Sequence, residues 1–467
     1  MRTIVAPKQH IGRLWGKQRI REDESYRLMK YVLRVDHEEE VLLHNVVTGQ
    51  LVVLDQEEVD ALNKLPHGYT PVMEQLVTEH YLVPEDYDEH QQTVKLRTIM
   101  RKFDSVHRSK AITLYTILPT TACNARCYYC FEQGTTPITM SKQTANEVVS
   151  FITNHCEGRM VNLTWFGGEP TVAANRITQI SEGLRNNNVD FQSNMITNGY
   201  LFDEDMVVQA KETWHVRYVQ ICVDGSEDNY NRVKAYVGVN DNPYQRILRN
   251  IELLLREGIG VSLRMNFDID NYQDFSKVLQ DCQERFGYNR LLEVYAYPII
   301  GEYKNAEGIV RHGSDDWISK TRAFLNDIAR ERKMYRPPDQ LPCLQINGCE
   351  ADNNASITIN ANGFLVRCCE MFEEDQIVGS VREGFTNLDL YNSWKVIGDY
   401  RKCSDCTFFP SCVKMNNCVA KDRCYLQDRN NWFITSIKHI ADTQNGNTMA
   451  RQERERGMQN DFRKTEC

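Results

Sequence analysis

The stretch that decides how this 467-residue chain is read is Pro119-Thr120-Thr121-Ala122-Cys123-Asn124-Ala125-Arg126-Cys127-Tyr128-Tyr129-Cys130-Phe131. Just before it, Ile112–Leu118 reads as a strand, which puts the three cysteines in the loop at that strand's C-terminal end. Three thiolates at CxxxCxxC spacing do not complete a structural zinc site, which takes four protein ligands. They can hold three corners of a 4Fe-4S cluster, leaving the fourth iron open to chelate a small molecule. A zinc site completed by a remote residue is the alternative.

Outward from this loop, strand and helix alternate. Candidate strands are Ile112–Leu118, Val161–Phe166, Phe191–Ile196, Val216–Val223, Val261–Phe267 and Leu292–Tyr297, with helical patterns at Lys142–His155, Ile177–Asn186 and Tyr244–Glu257. Six β/α repeats imply a parallel sheet with helices outside it, either an open doubly wound sheet or a partial barrel, whose functional residues sit at strand C-termini. At those ends stand Gly167-Gly168-Glu169-Pro170, Thr197-Asn198-Gly199, Asp224-Gly225 and Arg264-Met265-Asn266.

Together these residues resemble the radical S-adenosylmethionine (SAM) superfamily. The resemblance implies a partial (β/α)6 barrel in which Cys123, Cys127 and Cys130 are catalytic and hold a SAM-binding 4Fe-4S cluster. Gly167 and Gly168 then bring backbone close to the methionyl group, and Glu169 takes its ammonium. Thr197, Asn198 and Asp224 lie near the ribose, and Tyr129 supplies the aromatic before the third cysteine. Arg232 or Lys234 pairs with the SAM carboxylate, while Arg264 and Asn266 approach from the fifth strand. Cys222 stands where relatives more often have Ser.

Of 16 cysteines, nine lie between Cys343 and Cys424, a density typical of metal modules or disulfide scaffolds. No run approaches a membrane span, and the first thirty residues lack a signal-peptide core. The expected location is therefore cytoplasmic, where disulfides are disfavoured. Eight of the nine thiols suffice for two four-cysteine sites, iron–sulfur or zinc. Beside a radical SAM core, the spacing resembles a SPASM domain with two auxiliary 4Fe-4S clusters. By that resemblance Cys343, Cys349, Cys368 and Cys418 hold the nearer one, and Cys403, Cys406, Cys412 and Cys424 the farther. The gap from Cys412 to Cys418 is longer than in the family pattern, and Cys369 stands where sulfatase-maturing relatives carry an aspartate. Whether Cys368 or Cys369 binds iron stays open. Cys156, Cys222, Cys282 and Cys467 read as buried or incidental.

Before the repeats, Tyr31–Val35, Val41–Leu43 and Leu51–Leu54 read as strands. Asp55 and Glu58 start a helix through Val59, Leu62 and Leu65, and Thr70-Pro71 opens another that Pro84 stops. This winged-helix-like module resembles the element that binds leader peptides of ribosomally made natural products. The resemblance implies a leader strand added beside Leu51–Leu54, along the helix Pro71–Tyr81.

The expected divisions are 1–105 for this module, 106–335 for the barrel and 336–440 for the SPASM domain, with a helix at Asp315–Lys333 and a break at Pro337-Pro338. An amphipathic stretch through Trp432, Phe433, Ile437 and Ile440 precedes a polar tail over 441–467. The 41% apolar and 25% charged composition excludes wholesale disorder, and a net charge of −9 with no basic block argues against nucleic acid. The reading is a peptide-modifying radical SAM enzyme using SAM, three 4Fe-4S clusters, a precursor peptide and a reduced flavodoxin- or ferredoxin-type donor, with no membrane partner. Its preferred product is a cysteine thioether crosslink. Alternatives are carbon–carbon or carbon–oxygen crosslinking, formylglycine formation (disfavoured by Cys369), and a non-enzymatic iron–sulfur or zinc protein.

Overall fold

The computed structural model describes residues 1–107, 110–299, 313–336, 341–371, 373–397 and 403–443. The expected break at Pro337-Pro338, the tail from residue 444 and Cys467 lie outside them.

The N-terminal module contains β1 (Arg2–Val5), α1 (Gln9–Trp15), β2 (Ser25–Leu28), β3 (Val32–His37), β4 (Glu40–Asn45), β5 (Gln50–Val53), α2 (Gln56–Leu62), β6 (His67–Gly68), α3 (Glu74–Thr78) and β7 (Leu82–Pro84). Alternation sorts its main sheet into two apolar faces. Val32, Leu43 and Val52 pack on Leu62, Leu76 and Tyr81, while Val35, Leu42, Leu51 and Val53 take the other side. Asp55 accepts from the Glu58 amide at 3.0 Å and Glu58 returns the bond to the Asp55 amide, the expected capping box. Two expectations need correction. The first helix stops at Leu62, short of Leu65. Pro84 stops no helix: α3 ends at Thr78, and Pro84 closes a strand paired with β2.

The sheet order β1-β5-β4-β3 carries a larger surprise. The edge of β5 reserved by the sequence for a leader strand is occupied by β1, running antiparallel with Arg2 opposite Val53 and Thr3 opposite Val52. Nothing in Arg2-Thr-Ile-Val signals that pairing, because its only specific feature is a partner almost fifty residues away.

Helix α4 (Glu89–His107) leads into the repeats: β8 (Leu114–Ile117), α5 (Lys142–His155), β9 (Val161–Trp165), α6 (Ala174–Asn186), β10 (Phe191–Thr197), α7 (Glu204–Glu212), β11 (Val216–Val223), α8 (Glu227–Lys234), α9 (Pro243–Arg256), β12 (Gly260–Phe267), α10 (Phe275–Phe286), β13 (Leu292–Pro298) and α11 (Asp315–Glu331). Strands β8 to β13 are all parallel and neighbour one another in chain order. A doubly wound sheet reverses its order at a switch point; this one advances in one direction, as a barrel wall does. Its helices bury one face each, as when Ile247, Ile251 and Leu254 of α9 join the main core.

The Cys-rich region is no appendage. Its strands β14 (Ser356–Ile359), β15 (Phe364–Val366), β16 (Ile377–Ser380) and β17 (Gly384–Phe385) extend the barrel sheet to ten, with β14 parallel to β8. That pairing caps the open edge of β8. Helix α12 (Leu388–Ser393) and a last helix, α13, described over 426–443, complete the fold. Ile437 and Ile440 of α13 pack on the module's second face. Among the described residues no helix is long and apolar enough to cross a membrane.

Candidate functional site

Cys123, Cys127 and Cys130 stand in the loop after β8, at the C-terminal end of the parallel sheet. Burial raises all three thiols, Cys127 to about 12. Such thiols are poor free nucleophiles; a metal that displaces their protons changes that. The Gly167-Gly168 turn lies directly on this loop, with the Gly168 amide donating to Thr120 O at 3.1 Å and the Glu169 amide to Ala122 O at 2.9 Å. A Cβ at Gly168 would sit 2.5 Å from the carbonyl oxygens of both Thr121 and Ala122, so only glycine permits this approach. Gly167 adopts φ +119, a conformation that favours glycine.

Glu169 is buried, and burial raises its carboxyl despite several donors. Its Oε1 accepts from the Thr171 amide, the Thr171 hydroxyl and the Thr197 hydroxyl; its Oε2 accepts from the Asn198 amide at 2.7 Å. Oε2 is thus the oxygen with room for a ligand's ammonium. The Asn198 side chain donates to Asn124 Oδ1 at 2.7 Å, binding the third strand's end to the cysteine loop. Asn124 Nδ2 and Glu132 Oε1 are buried polar atoms without a partner, and burial pushes the Glu132 carboxyl up to about 7. Three thiols, a backbone cradle and orphaned polar atoms fit a cluster with a polar zwitterionic ligand beside it.

Arg232 and Lys234 lie in different surroundings. Arg232 is exposed and donates to Asn229 at 2.8 Å. Lys234 is 3% exposed and pairs with Asp224, itself fully buried, at 2.8 Å. Burial alone lowers the Lys234 ammonium; Asp224 and nearby thiols more than reverse that, so it is held protonated. Tyr129 donates to Asp224 Oδ1 at 2.7 Å and accepts from Lys234 at 3.1 Å and from Asn266 at 3.0 Å. Arg264 donates to Asn266 Oδ1 and lies 4.0 Å over the Tyr297 ring. Tyr129, Asp224, Lys234, Arg264 and Asn266 therefore form one connected group behind the thiols. Cys156 and Cys282 are buried as expected, but Cys222 is half-buried, and its charge would act on Lys234, Tyr129 and Arg264. It stands in register with Arg264 of β12.

In the Cys-rich region, Cys403, Cys406, Cys412 and Cys424 line one cavity of about 440 Å³. Among the described residues its walls also carry Arg97, Arg101, Lys414, Arg423 and Arg429, and no carboxylate. Four thiols amid five cations suit an anionic occupant larger than a single ion. Cys349, Cys368 and Cys418 form a second group close enough to interact electrostatically. Cys343 packs against the N-terminal module, 3.1 Å from where a Gly49 Cβ would stand. Cys369 and Cys368 share a hydrogen bond that lowers the Cys368 thiol and raises that of Cys369.

Sequence reading missed Glu132, the Lys234–Asp224 pairing, the Tyr128 bond to Asp268 at 2.8 Å, and the arginines of α4. Glu132, two residues past the last thiol, had no distinguishing signal in a loop that also carries Arg126, Gln133 and Thr135. The rest depends on contacts between distant segments.

Residues 117–282 match the Radical SAM superfamily model. Among solved structures, the chain is similar to native anSMEcpe with bound AdoMet and Cp18Cys peptide, with a TM-score of 0.56, 16% identity, and coverage of 72% of this chain and 99% of that one. It is also similar to SuiB of Streptococcus suis, with a TM-score of 0.50, 14% identity, and coverage of 88% and 96% respectively. No curated protein matches it.

Proposed function

We propose, on the premise that this chain is a radical SAM enzyme, that it modifies a ribosomally made precursor peptide, with a cysteine thioether crosslink as the product. The observation that carries the reading is the convergence of Cys123, Cys127 and Cys130 with the Gly168 cradle and the unpartnered Asn124 and Glu132 atoms at one sheet end. When bound there, the cluster and SAM would supply reductive radical chemistry directed at a substrate C–H bond.

The chain's own residues orient and enclose. Glu169 Oε2 receives the ligand's ammonium, while Thr171 and Thr197 fix the carboxylate's rotamer. Lys234, steadied by Asp224 and Tyr129, keeps positive charge near the site of an anionic group. Arg264 and Asn266, with Tyr297 beneath, close the fifth-strand side against water. The two Cys-rich groups are read as auxiliary clusters that take up the substrate's departing electron. Cys369 offers a thiol where formylglycine formation would ask for a carboxylate base, which supports crosslinking.

The N-terminal module is read as the leader-binding element, with one amendment. The leader pairs with β5 by taking the place of β1, a four-residue strand whose Arg2 and Thr3 are exposed and whose register shifts between Thr3 and Val5. On leaving, that strand gives up the contacts of the Met1 ammonium with Glu58 at 2.9 Å and Asp55 at 3.3 Å.

Anaerobic reconstitution tests the whole. Three clusters of four irons predict about 12 irons per chain. With reductant and SAM the enzyme releases 5′-deoxyadenosine, and with its precursor the peptide loses two hydrogens per crosslink as thiols disappear. Cys127→Ala should abolish both; a variant that still releases 5′-deoxyadenosine ends this reading.

A further inference from the structure

Among the described residues, two buried arginines form no salt bridge. Arg97, on α4, and Arg367, just before Cys368, are each 3% exposed. Every hydrogen bond of Arg97 ends on a backbone carbonyl: Gln345 at 3.0 Å, Phe409 at 3.0 Å and Pro410 at 2.9 Å. Arg367 donates to the carbonyls of Ala351 at 2.7 Å, Ser356 at 2.8 Å and Asn353 at 3.0 Å, and lies 4.3 Å over the Tyr391 ring. Carbonyls solvate a guanidinium without neutralising it, and an uncompensated buried charge costs several kcal/mol. The nearest carboxylate to Arg367, Asp352, is committed to Arg101 at 2.8 Å and to the Gly348 and Cys349 amides. Arg97 lines the cavity of Cys403, Cys406, Cys412 and Cys424, while Arg367 directly precedes Cys368 and is also acted on by Asp352 and Cys349. Each buried cation is therefore assigned to one of the two cysteine groups.

We propose that Arg97 and Arg367 are positioning residues that act as built-in counter-charges of the farther and nearer auxiliary clusters, raising each cluster's reduction potential so that it accepts the electron leaving the substrate. This rests on the reading that both cysteine groups hold clusters. Net charge and hydrogen bonding around the sulfurs are the main levers on such potentials. Arg97 also clamps the Phe409-Pro410 carbonyls between Cys406 and Cys412. It does so from the helix that joins the N-terminal module to the barrel, so its charge is in place only when that helix is docked.

The test uses the full chain with Cys123, Cys127 and Cys130 all changed to Ala, which leaves two auxiliary clusters and about 8 irons. Their midpoints are followed by potentiometric titration with electron paramagnetic resonance. Arg97→Gln should move one midpoint to lower potential and leave the other; Arg367→Gln should move the other alone. Arg97→Lys and Arg367→Lys, which keep charge but lose the fork, should stay near the parent. Unmoved midpoints, both midpoints moving together, or Lys variants shifting as far as Gln variants would each overturn the proposal. Should a Gln variant lose iron, retention of iron at the parent potential by its Lys counterpart supports a charge requirement, and loss in both overturns it. Cys406→Ala and Cys349→Ala test the underlying reading separately. If they retain all the iron, the clusters are not there, whatever the arginines do.

Discussion

The catalytic end of the barrel and the junction between the N-terminal module and the Cys-rich region both gather thiols, but they do so by different means. At the barrel end, three cysteines lie within one loop, and the residues facing them come from the ends of successive parallel strands, where topology alone delivers them. At the junction, the thiols are spread from Cys343 to Cys424 and are gathered by docking. Tyr31 donates to Ser404 O at 2.9 Å, the Leu344 amide to Val47 O at 3.0 Å, and Arg97 reaches across from α4. The first site is a property of a fold. The second is a property of an interface, and it should respond to whatever loosens that interface.

The largest effect is expected where the barrel end has committed a buried ion pair. Lys234→Met leaves Asp224 charged and without its cation, at a cost of about 3–5 kcal/mol. Adding Asp224→Asn should recover much of that loss in a denaturant melt. Arg232→Ala, on the exposed side of the same helix, should stay within about 0.5 kcal/mol. A double variant no more stable than Lys234→Met alone would deny that the pair is what matters.

Next comes Gly168→Ala. Its methyl group meets two carbonyl oxygens that belong to the cysteine loop, so the loop or the turn must shift. A displacement near 1 Å at a reacting centre costs about 100-fold in rate. SAM cleavage should fall on that scale while the iron content holds, which separates geometry from cluster loss. Undiminished cleavage would show that the turn does not set the position of SAM.

The junction carries a pH signature opposite in sign to that of the barrel end, where burial raises the Glu132 carboxyl to about 7. His44, fully buried on β4, lies 3.2 Å from Gln50 O and 3.1 Å from Pro342 O, and burial lowers its imidazole to about 4. A group depressed in the folded state stays neutral there while the unfolded chain takes up a proton near its ordinary 6.5. Stability is therefore flat above that value and is lost as pH falls from 6.5 towards 4. Between pH 7 and pH 5 the loss amounts to about 2 kcal/mol. His44→Gln should flatten this slope in melts at the two pH values; an identical slope would place the acid sensitivity elsewhere.

These expectations also mark what the sequence could convey. Cys123, Cys127, Cys130 and Gly168 were legible because their meaning is carried by near neighbours and by position at a strand end. The six strands were legible because apolar runs of strand length alternate with helical periodicity. The pairing of Lys234, rather than Arg232, with Asp224 was not, since it depends on which side of α8 faces Asp224, and both residues are basic. Arg97 carries no signal within its own segment; only the carbonyls of Gln345, Phe409 and Pro410, some 250 to 310 positions later, reveal it. Cys343 fitted a spacing pattern, yet the module's docking draws it towards Gly49. Short-range pattern locates ligands, whereas long-range packing decides which of them meet.

The smallest effect sharpens the junction side of the comparison. Strand β1 fills the edge of β5 with four residues, two of them exposed. If a leader peptide pairs there, every bond it makes to β5 replaces one that β1 already makes, and the net gain in affinity is only the difference. Deleting residues 1–6 removes the competitor and should tighten precursor binding by about threefold to tenfold, on the order of 1 kcal/mol. Uncoupled SAM cleavage, set at the far end of the barrel, should not change. Binding measured by titration calorimetry decides the matter. Weaker binding after the deletion would mean that β1 supports the leader site rather than occupying it, and unchanged binding would move the leader to another edge of the module.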